Sequence, residues 1–259
     1  MPQTTTQPDF ATLLQSAITD PGTVSAAYRA FHGYSLGNQI LAMVQCAARE
    51  IPIGPIASFM GWKDKGRYVR KGEKAIVLCM PITMKRTVET EDGNEDVTFA
   101  RFVYRANWFA LSQTEGDVVA PEPLPDWSAE LALTALQITE VPFEMTDGNC
   151  QGYARARTIA VSPIAEHPHK TRFHEIAHVL LGHTTEHEQA DSPLTPRTLR
   201  EVEAESVAML CGAALGLPGV EQSRGYIQVW NHSGQPIPEE SARRIMKTAD
   251  TILKAGRPS

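Results

Sequence analysis

The chain has 259 residues, of which 42% are hydrophobic and 21% charged, and a formal net charge of −6 at pH 7. That mix excludes a disordered chain, and no apolar run approaches the ~18 residues that a transmembrane helix needs. The acidic balance argues against a nucleic-acid binder that uses its whole surface, but not against a local basic patch. The N-terminus, MPQTTTQPDF, has neither a basic start nor an apolar stretch, so a cytoplasmic protein without a secretory signal or membrane partner is expected. Cys46, Cys79, Cys150 and Cys211 show no CxxC or metal-finger spacing. They are expected to be free thiols.

In chain order, Phe10–Ile18 and Ser35–Glu50 are predicted helices. The second keeps Ile40, Leu41, Val44 and Ala48 at 3–4 spacing and stops before Pro52 and Pro55. Ala57–Gly66 is predicted as a short helix. Lys74–Thr83 and Thr98–Leu111 are β-branched and aromatic and are expected to be strands. Between them lie Glu89, Glu91, Asp92, Glu95 and Asp96, expected as a solvated hairpin loop.

DVVAPEPLPD (Asp117–Asp126) carries three prolines and reads as a semi-extended connection. The expected division is residues 1–118, a linker at 119–126, and residues 127–259. In the second part, helices are predicted over Ser128–Ile138, Lys170–Leu181, Thr198–Leu215, Arg224–Asn231 and Pro238–Ala255. Strands are predicted within Phe143–Ser162. The expected class is α+β in both domains, with a small antiparallel sheet in the first.

His174-Glu175-Ile176-Ala177-His178 is an HExxH motif. On a helix, residues i and i+4 share a face, so two imidazoles can hold one zinc ion. Glu175 then flanks the open coordination position. There it can take a proton from the attacking water and pass it to a leaving amine. Two histidines and a carboxylate also suit manganese or another divalent ion. A third ligand is expected from Glu201-Val202-Glu203-Ala204-Glu205, which begins 23 residues after His178. Glu201 and Glu205 share a helix face and Glu203 points away; either of the first two can reach the metal. The E-x-x-A-E pattern resembles the second motif of the thermolysin and neprilysin class, the gluzincins. That resemblance implies Glu201 as the ligand and Glu205 as the acid that orients a ligand imidazole.

A metzincin would need glycine at Leu181 and histidine at Thr184, so His183 and His187 are expected to be surface or loop-ordering residues. His183 or Glu205 as a fourth ligand would instead make the site structural. QGYARARTIAVS (Gln151–Ser162) reads equally as a plain sheet strand or as a rim strand to which substrate backbone can add. Tyr226 and His232 are candidate oxyanion donors, with Tyr226 also readable as core.

From Met60 to Arg86 there are eight basic residues against Asp64 and Glu73 alone. GWKDKGRYVRKGEK (Gly61–Lys74) mixes these cations with aromatics. Cations can follow the phosphates of a single strand while aromatic faces stack its bases.

FHGYSLGNQILAMVQ (Phe31–Gln45), FMGWKDKGRYVRKGEKAIVL (Phe59–Leu78) and ALSQTEG (Ala110–Gly116) together resemble the N-terminal domain of the ArdC antirestriction family. HEIAHVLLGH, REVEAESVA, GYIQVW and SARRIMKTADTIL resemble its C-terminal zincin-like domain, related to ImmA/IrrE-type metallopeptidases. The resemblance implies a single-stranded-DNA-binding domain with little sequence preference. It also implies a metallopeptidase domain holding a divalent metal, usually taken as zinc, and an unidentified protein substrate. Such proteins are carried by plasmids, phages and other mobile elements and are thought to protect incoming DNA from restriction. Carried over by position, the DNA-contact candidates are Trp62, Lys63, Arg67, Arg70, Lys71 and Lys74, joined by Tyr34 and Asn38. Gln39 belongs to the same matched helix start. Ser112, Gln113 and Thr114 either line the DNA cleft or close the domain. YRANWFAL before SQTEG departs from the family's tighter aromatic run.

Overall fold

Helix α1 (Phe10–Thr19) starts at Asp9, whose carboxylate accepts the backbone N–H of Thr12 at 2.7 Å. That bond satisfies one of the donors a helix start leaves orphaned. In this computed structural model the described residues are 9–90, 93–120, 122–145, 150–184, 197–232 and 236–258, with backbone alone at 86–97, 99–100 and 231–232 where these fall within them. Helix α1 buries Leu13, Leu14, Ala17 and Ile18 on one face. Helix α2 (Thr23–Phe31) was not among the expected elements. Val24, Ala27, Tyr28 and Phe31 nevertheless fall at helical spacing and are buried. Helix α3 (Leu36–Ala48) follows.

The next elements are β1 (Ile56–Ser58), α4 (Phe59–Asp64), β2 (Arg67–Val69), β3 (Ile76–Thr90), β4 (Gly93–Ala110), a short 3-10 turn at Leu111–Gln113, and β5 (Thr114–Gly116). Strands β1, β4 and β3 form an antiparallel sheet in that order, and β2 pairs with β5, also antiparallel. The expected loop between β3 and β4 is mostly strand. Pairing runs out to Thr90 opposite Gly93, because ladder hydrogen bonds are made by backbone whatever the side-chain charge. Glu91 and Asp92 lie outside the described residues.

The remaining elements are α5 (Ala129–Leu136), β6 (Thr139–Glu140), β7 (Gly152–Arg155), β8 (Thr158–Val161), α6 (Pro168–Leu180), α7 (Arg197–Leu215), α8 (Val220–His232) and α9 (Glu239–Ala255). The sheet order is β6-β8-β7, so β7 is an edge; β6 pairs parallel with β8, and β7 antiparallel. Every residue of α7 from Val202 to Gly212 is buried, and α2, α6, α8 and α9 all pack on it. A helix covered on every side has no solvent face for its polar residues, which bears directly on Glu203 below.

The fold is α+β with small sheets. It forms two compact units. One is Leu41–Pro121, and the other joins the residues through Ile40 to those from Glu122 onward. The second crossover falls beside the proline-rich segment. The first differs from the sequence expectation, because α1 packs on α9 and α2 on α7. Apolar faces find cover irrespective of sequence distance, and here cover for the C-terminal helices comes from the first forty residues. The four cysteines are free. Among the described residues no helix is long and apolar enough to cross a membrane.

Candidate metal centre and nucleic-acid interface

Helix α6 places His174 and His178 one turn apart, with Nε2 atoms 3.0 Å from each other. Glu201, from the second turn of α7, brings Oε2 to 3.4 Å from His174 Nε2 and 3.7 Å from His178 Nε2. A tetrahedral ion with bonds of about 2.1 Å has ligand–ligand edges of roughly 3.4 Å. The three atoms therefore match one face of such a shell, and they are the group identified among the described residues as able to hold a metal.

Glu205 sits one turn further along α7 and meets the other side of His174. Its Oε2 lies 2.9 Å from Nδ1, and its Oε1 pairs with Lys170 Nζ at 2.8 Å. Burial works against protonation of His174, but hydrogen bonds with Glu201 and Glu205 hold its pKa up to about 9. Burial likewise works against ionisation of Glu205, yet His174 and Lys170 hold its carboxyl down to about 2. Glu201 is held below the usual range chiefly by hydrogen bonds with His174 and His178. Two carboxylates around two imidazoles form a centre suited to a cation.

Glu175 is 7% exposed and projects from the same helix. Burial raises its pKa, against the pull of His174 and His178. Gly152 of edge strand β7 lies directly against it. Tyr226 of α8 is 47% exposed. Its phenol is pushed up by burial and by the charges of Glu201 and Glu205, which places it in the field of the centre rather than in the core. His232 has no described side chain, and His187 lies outside the described residues.

Of the two roles expected for His183, surface or loop-ordering, the surface one does not hold. Its side chain is 4% exposed, with Nδ1 3.0 Å from His178 Nδ1 and Nε2 2.9 Å from Glu203 Oε2. Burial lowers its pKa, in opposition to the Glu203 hydrogen bond. Glu203 does face away from the metal ligands, but the surroundings there are core, and it is fully buried. Its other oxygen faces Arg244 Nη1 at 3.8 Å. Both His183 and Glu205 thus stand on Nδ1 atoms, outside the Nε2–Nε2–Oε2 triangle.

In the Leu41–Pro121 unit, the basic segment divides into structural and exposed residues. Trp62 requires a correction: it is 1% exposed and donates its indole N–H to Phe109 O at 2.7 Å. A ring buried in this way is core and is not available to stack on a base. Exposed aromatics in this unit include Phe102, at 64%, Tyr68, at 62%, and Phe59, at 51%; composition cannot rank them because it carries no burial. Arg67 is engaged within the unit. Its Nε donates to Thr114 Oγ1 at 2.8 Å, Nη2 to Thr114 O at 3.0 Å, and Nη1 to the carbonyls of Gly116 and Asp117. It clamps β2 to β5.

Arg70 donates to Glu73 and to Ser112 O while remaining part-exposed. Lys63, Lys71 and Lys74 are exposed. Gln113 and Thr114 close the domain: Gln113 is buried, accepts from Ala110 N and donates to Glu73 and Lys74 O. Tyr34 and Asn38 are half-buried and belong to the other unit. Gln39 there is buried and donates to Tyr34 O at 2.8 Å.

Residues 15–109 match the family model described as the N-terminal domain of anti-restriction factor ArdC. No curated protein matches the chain in sequence. Among solved structures, the metal-free crystal structure of antirestriction ArdC protein from the R388 plasmid aligns with a TM-score of 0.56 at 20% identity, covering 95% of this chain and 94% of that one. The Mn(II)-bound structure of the same protein aligns with a TM-score of 0.53 at 18% identity, covering 95% and 97%. Residues 15–109 are therefore similar to the N-terminal domain of ArdC, and the chain has the fold of the R388 ArdC protein over almost its whole length.

Proposed function

We propose that this chain is an antirestriction protein of the ArdC type, in which a single-stranded-DNA-binding module is joined to a metal-dependent peptidase. The observation that carries the hydrolytic part is the triangle of His174, His178 and Glu201 with the buried carboxyl of Glu175 beside it. His174, His178 and Glu201 would hold a divalent ion, zinc or manganese. The Mn(II)-bound ArdC structure supports a divalent ion in this fold. When bound, the ion supplies Lewis acidity toward a carbonyl and a water.

The chain's own residues do the rest. Glu175 accepts a proton from the attacking water and returns it to the leaving amine nitrogen; its raised pKa suits both halves of that transfer. Glu205, backed by Lys170, fixes the ring of His174. The open edge of β7 offers backbone groups to an extended peptide beside Glu175.

The DNA-binding part rests on the family match and on the exposed cations Lys63, Arg70, Lys71 and Lys74 around exposed Tyr68. These can follow phosphates and stack a base. The rival reading is a non-catalytic coating protein with a structural metal site. It needs a fourth protein ligand, whereas its two candidates, His183 and Glu205, stand on Nδ1 atoms. A regulator-cleaving peptidase without a DNA role is the other alternative, and it leaves the family match unexplained.

The test is peptide-bond hydrolysis by the full chain loaded with zinc or manganese, with unfolded casein as substrate and intact mass spectrometry to detect self-cleavage. The reading predicts cleavage by wild type and none by Glu175→Gln, which retains metal and DNA binding. Cleavage that survives the substitution removes Glu175 from the mechanism.

A further inference from the structure

The α6 helix ends in a turn that delivers a second histidine behind the first. Gly182 adopts a left-handed backbone, with φ of 74°. Its N–H meets Val179 O at 3.3 Å, and the N–H of His183 meets His178 O at 2.9 Å. Glycine is the residue that enters this conformation without a Cβ penalty. The reversal folds His183 back against the side of His178 that faces away from Glu201.

We propose that His183 is a positioning residue of the metal centre: it accepts the Nδ1 proton of His178, donates its own Nε2 proton to Glu203, and so holds His178 with Nε2 directed at the ion. The proposal rests on the metal-centre reading above.

The argument is one of proton bookkeeping. A ligand imidazole gives its lone pair from one nitrogen and carries its proton on the other. Nε2 of His178 belongs to the His174–Glu201 triangle, so its proton sits on Nδ1. The atom 3.0 Å from that proton's nitrogen is His183 Nδ1, which must then be unprotonated. The His183 proton is left on Nε2, 2.9 Å from Glu203 Oε2. Each donor thus meets an acceptor, with a single arrangement of protons along the row.

The far end is anchored. Glu203 is fully buried, and Arg244 offers it a countercharge at 3.8 Å while donating Nη2 to Leu181 O at 2.6 Å, at the end of α6. The two ligand histidines are therefore oriented by different means. Glu205 holds His174 directly, whereas a neutral imidazole links His178 to its carboxylate.

The experiment uses the full chain and Zn(II), with affinity read by competition against a chromophoric chelator. His183→Leu should bind zinc roughly 10- to 100-fold more weakly than wild type. His183→Gln should recover most of the loss, since its amide can accept from His178 and donate to Glu203. Nitrogen-15 spectra of the histidine rings in zinc-loaded wild type should show His183 protonated on Nε2 alone. This second measurement needs no variant and stands even where His183→Leu fails to fold. A folded His183→Leu with zinc affinity within twofold of wild type overturns the proposal, as does His183 protonated on Nδ1. Wild type that binds neither Zn(II) nor Mn(II), or a His174→Ala that binds as wild type does, overturns the metal-centre reading and this proposal with it.

Discussion

Gly152 lies so close to Glu175 that a Cβ on the glycine would stand 3.0 Å from the carboxylate Oε1, with Thr171 Cγ2 at 2.6 Å and Ala160 O at 3.0 Å. Two of these neighbours are fixed in helix α6 and strand β8, so an added methyl group has nowhere to go. Gly152→Ala should destabilise the fold by about 1–3 kcal/mol, as overpacking does. It should also displace Glu175 and reduce hydrolysis. Denaturant melts and casein cleavage check both effects; wild-type values in both would mean that the close approach is not needed.

Protonation of His174 gives a pH dependence of definite sign. Its pKa is raised from 6.5 to about 9. A raised pKa contributes stability that is fully present below pH 6.5 and is lost as pH rises through about 9. The melting temperature of the metal-free protein should therefore fall between pH 7 and 9.5. Zinc affinity should rise over the same range, because the ion displaces that proton. Calorimetry in two buffers of different ionisation enthalpy reads the proton release; binding at pH 7 without proton release contradicts the assignment.

Trp62 and Tyr68, six residues apart, should respond in opposite ways. Tyr68→Ala should leave the fold intact and weaken single-stranded DNA binding by about 1–3 kcal/mol for one lost stacking contact. Trp62→Ala should cost about 3–5 kcal/mol of stability through an unfilled core. Replacing Lys63, Lys71 and Lys74 by Ala should flatten the salt dependence of binding, by about 0.7 in log–log slope per lost phosphate contact. Fluorescence anisotropy of a labelled oligonucleotide across a salt series separates these outcomes. A steep slope that persists without the three lysines would place the DNA elsewhere.

The two compact units predict the behaviour of fragments. Residues 122–259 alone lack α1 and α2, which cover α9 and α7, and should melt without cooperativity. Replacing residues 41–121 by a long Gly–Ser linker should preserve a cooperative melt and zinc binding. Circular dichroism checks the pair; a cooperative melt from 122–259 would show the first forty residues to be dispensable.

Local chemistry was the part of this molecule most legible in its sequence. HExxH works through adjacent turns of one helix, so spacing alone brings His174 and His178 together and sets Glu175 beside them. Glu201 follows from the resemblance of E-x-x-A-E to the second gluzincin motif, with Glu205 left open by the shared helix face. Long-range burial was not legible. Glu203 points away from the metal, but α7 has no solvent side between Val202 and Gly212. A carboxylate directed away from the metal there needs a partner, and that partner is His183. The glycine in LLGH was the available signal, since a left-handed residue ending the helix turns the next side chain back on it. Trp62 failed for the same reason as His183: a one-dimensional run of cations and aromatics does not say which ring the β4 strand covers. Helix α2 carried its own periodic signal, but Gly22 before it offers no side-chain cap to announce it.

The most direct test of the metal-centre account is an anomalous-diffraction crystal structure of the full chain loaded with zinc. The account predicts one ion held by His174 Nε2, His178 Nε2 and Glu201, with no fourth protein ligand and with Glu205 and His183 still on the Nδ1 atoms. A shell completed by His183 or Glu205, or an ion bound away from this triangle, would contradict it.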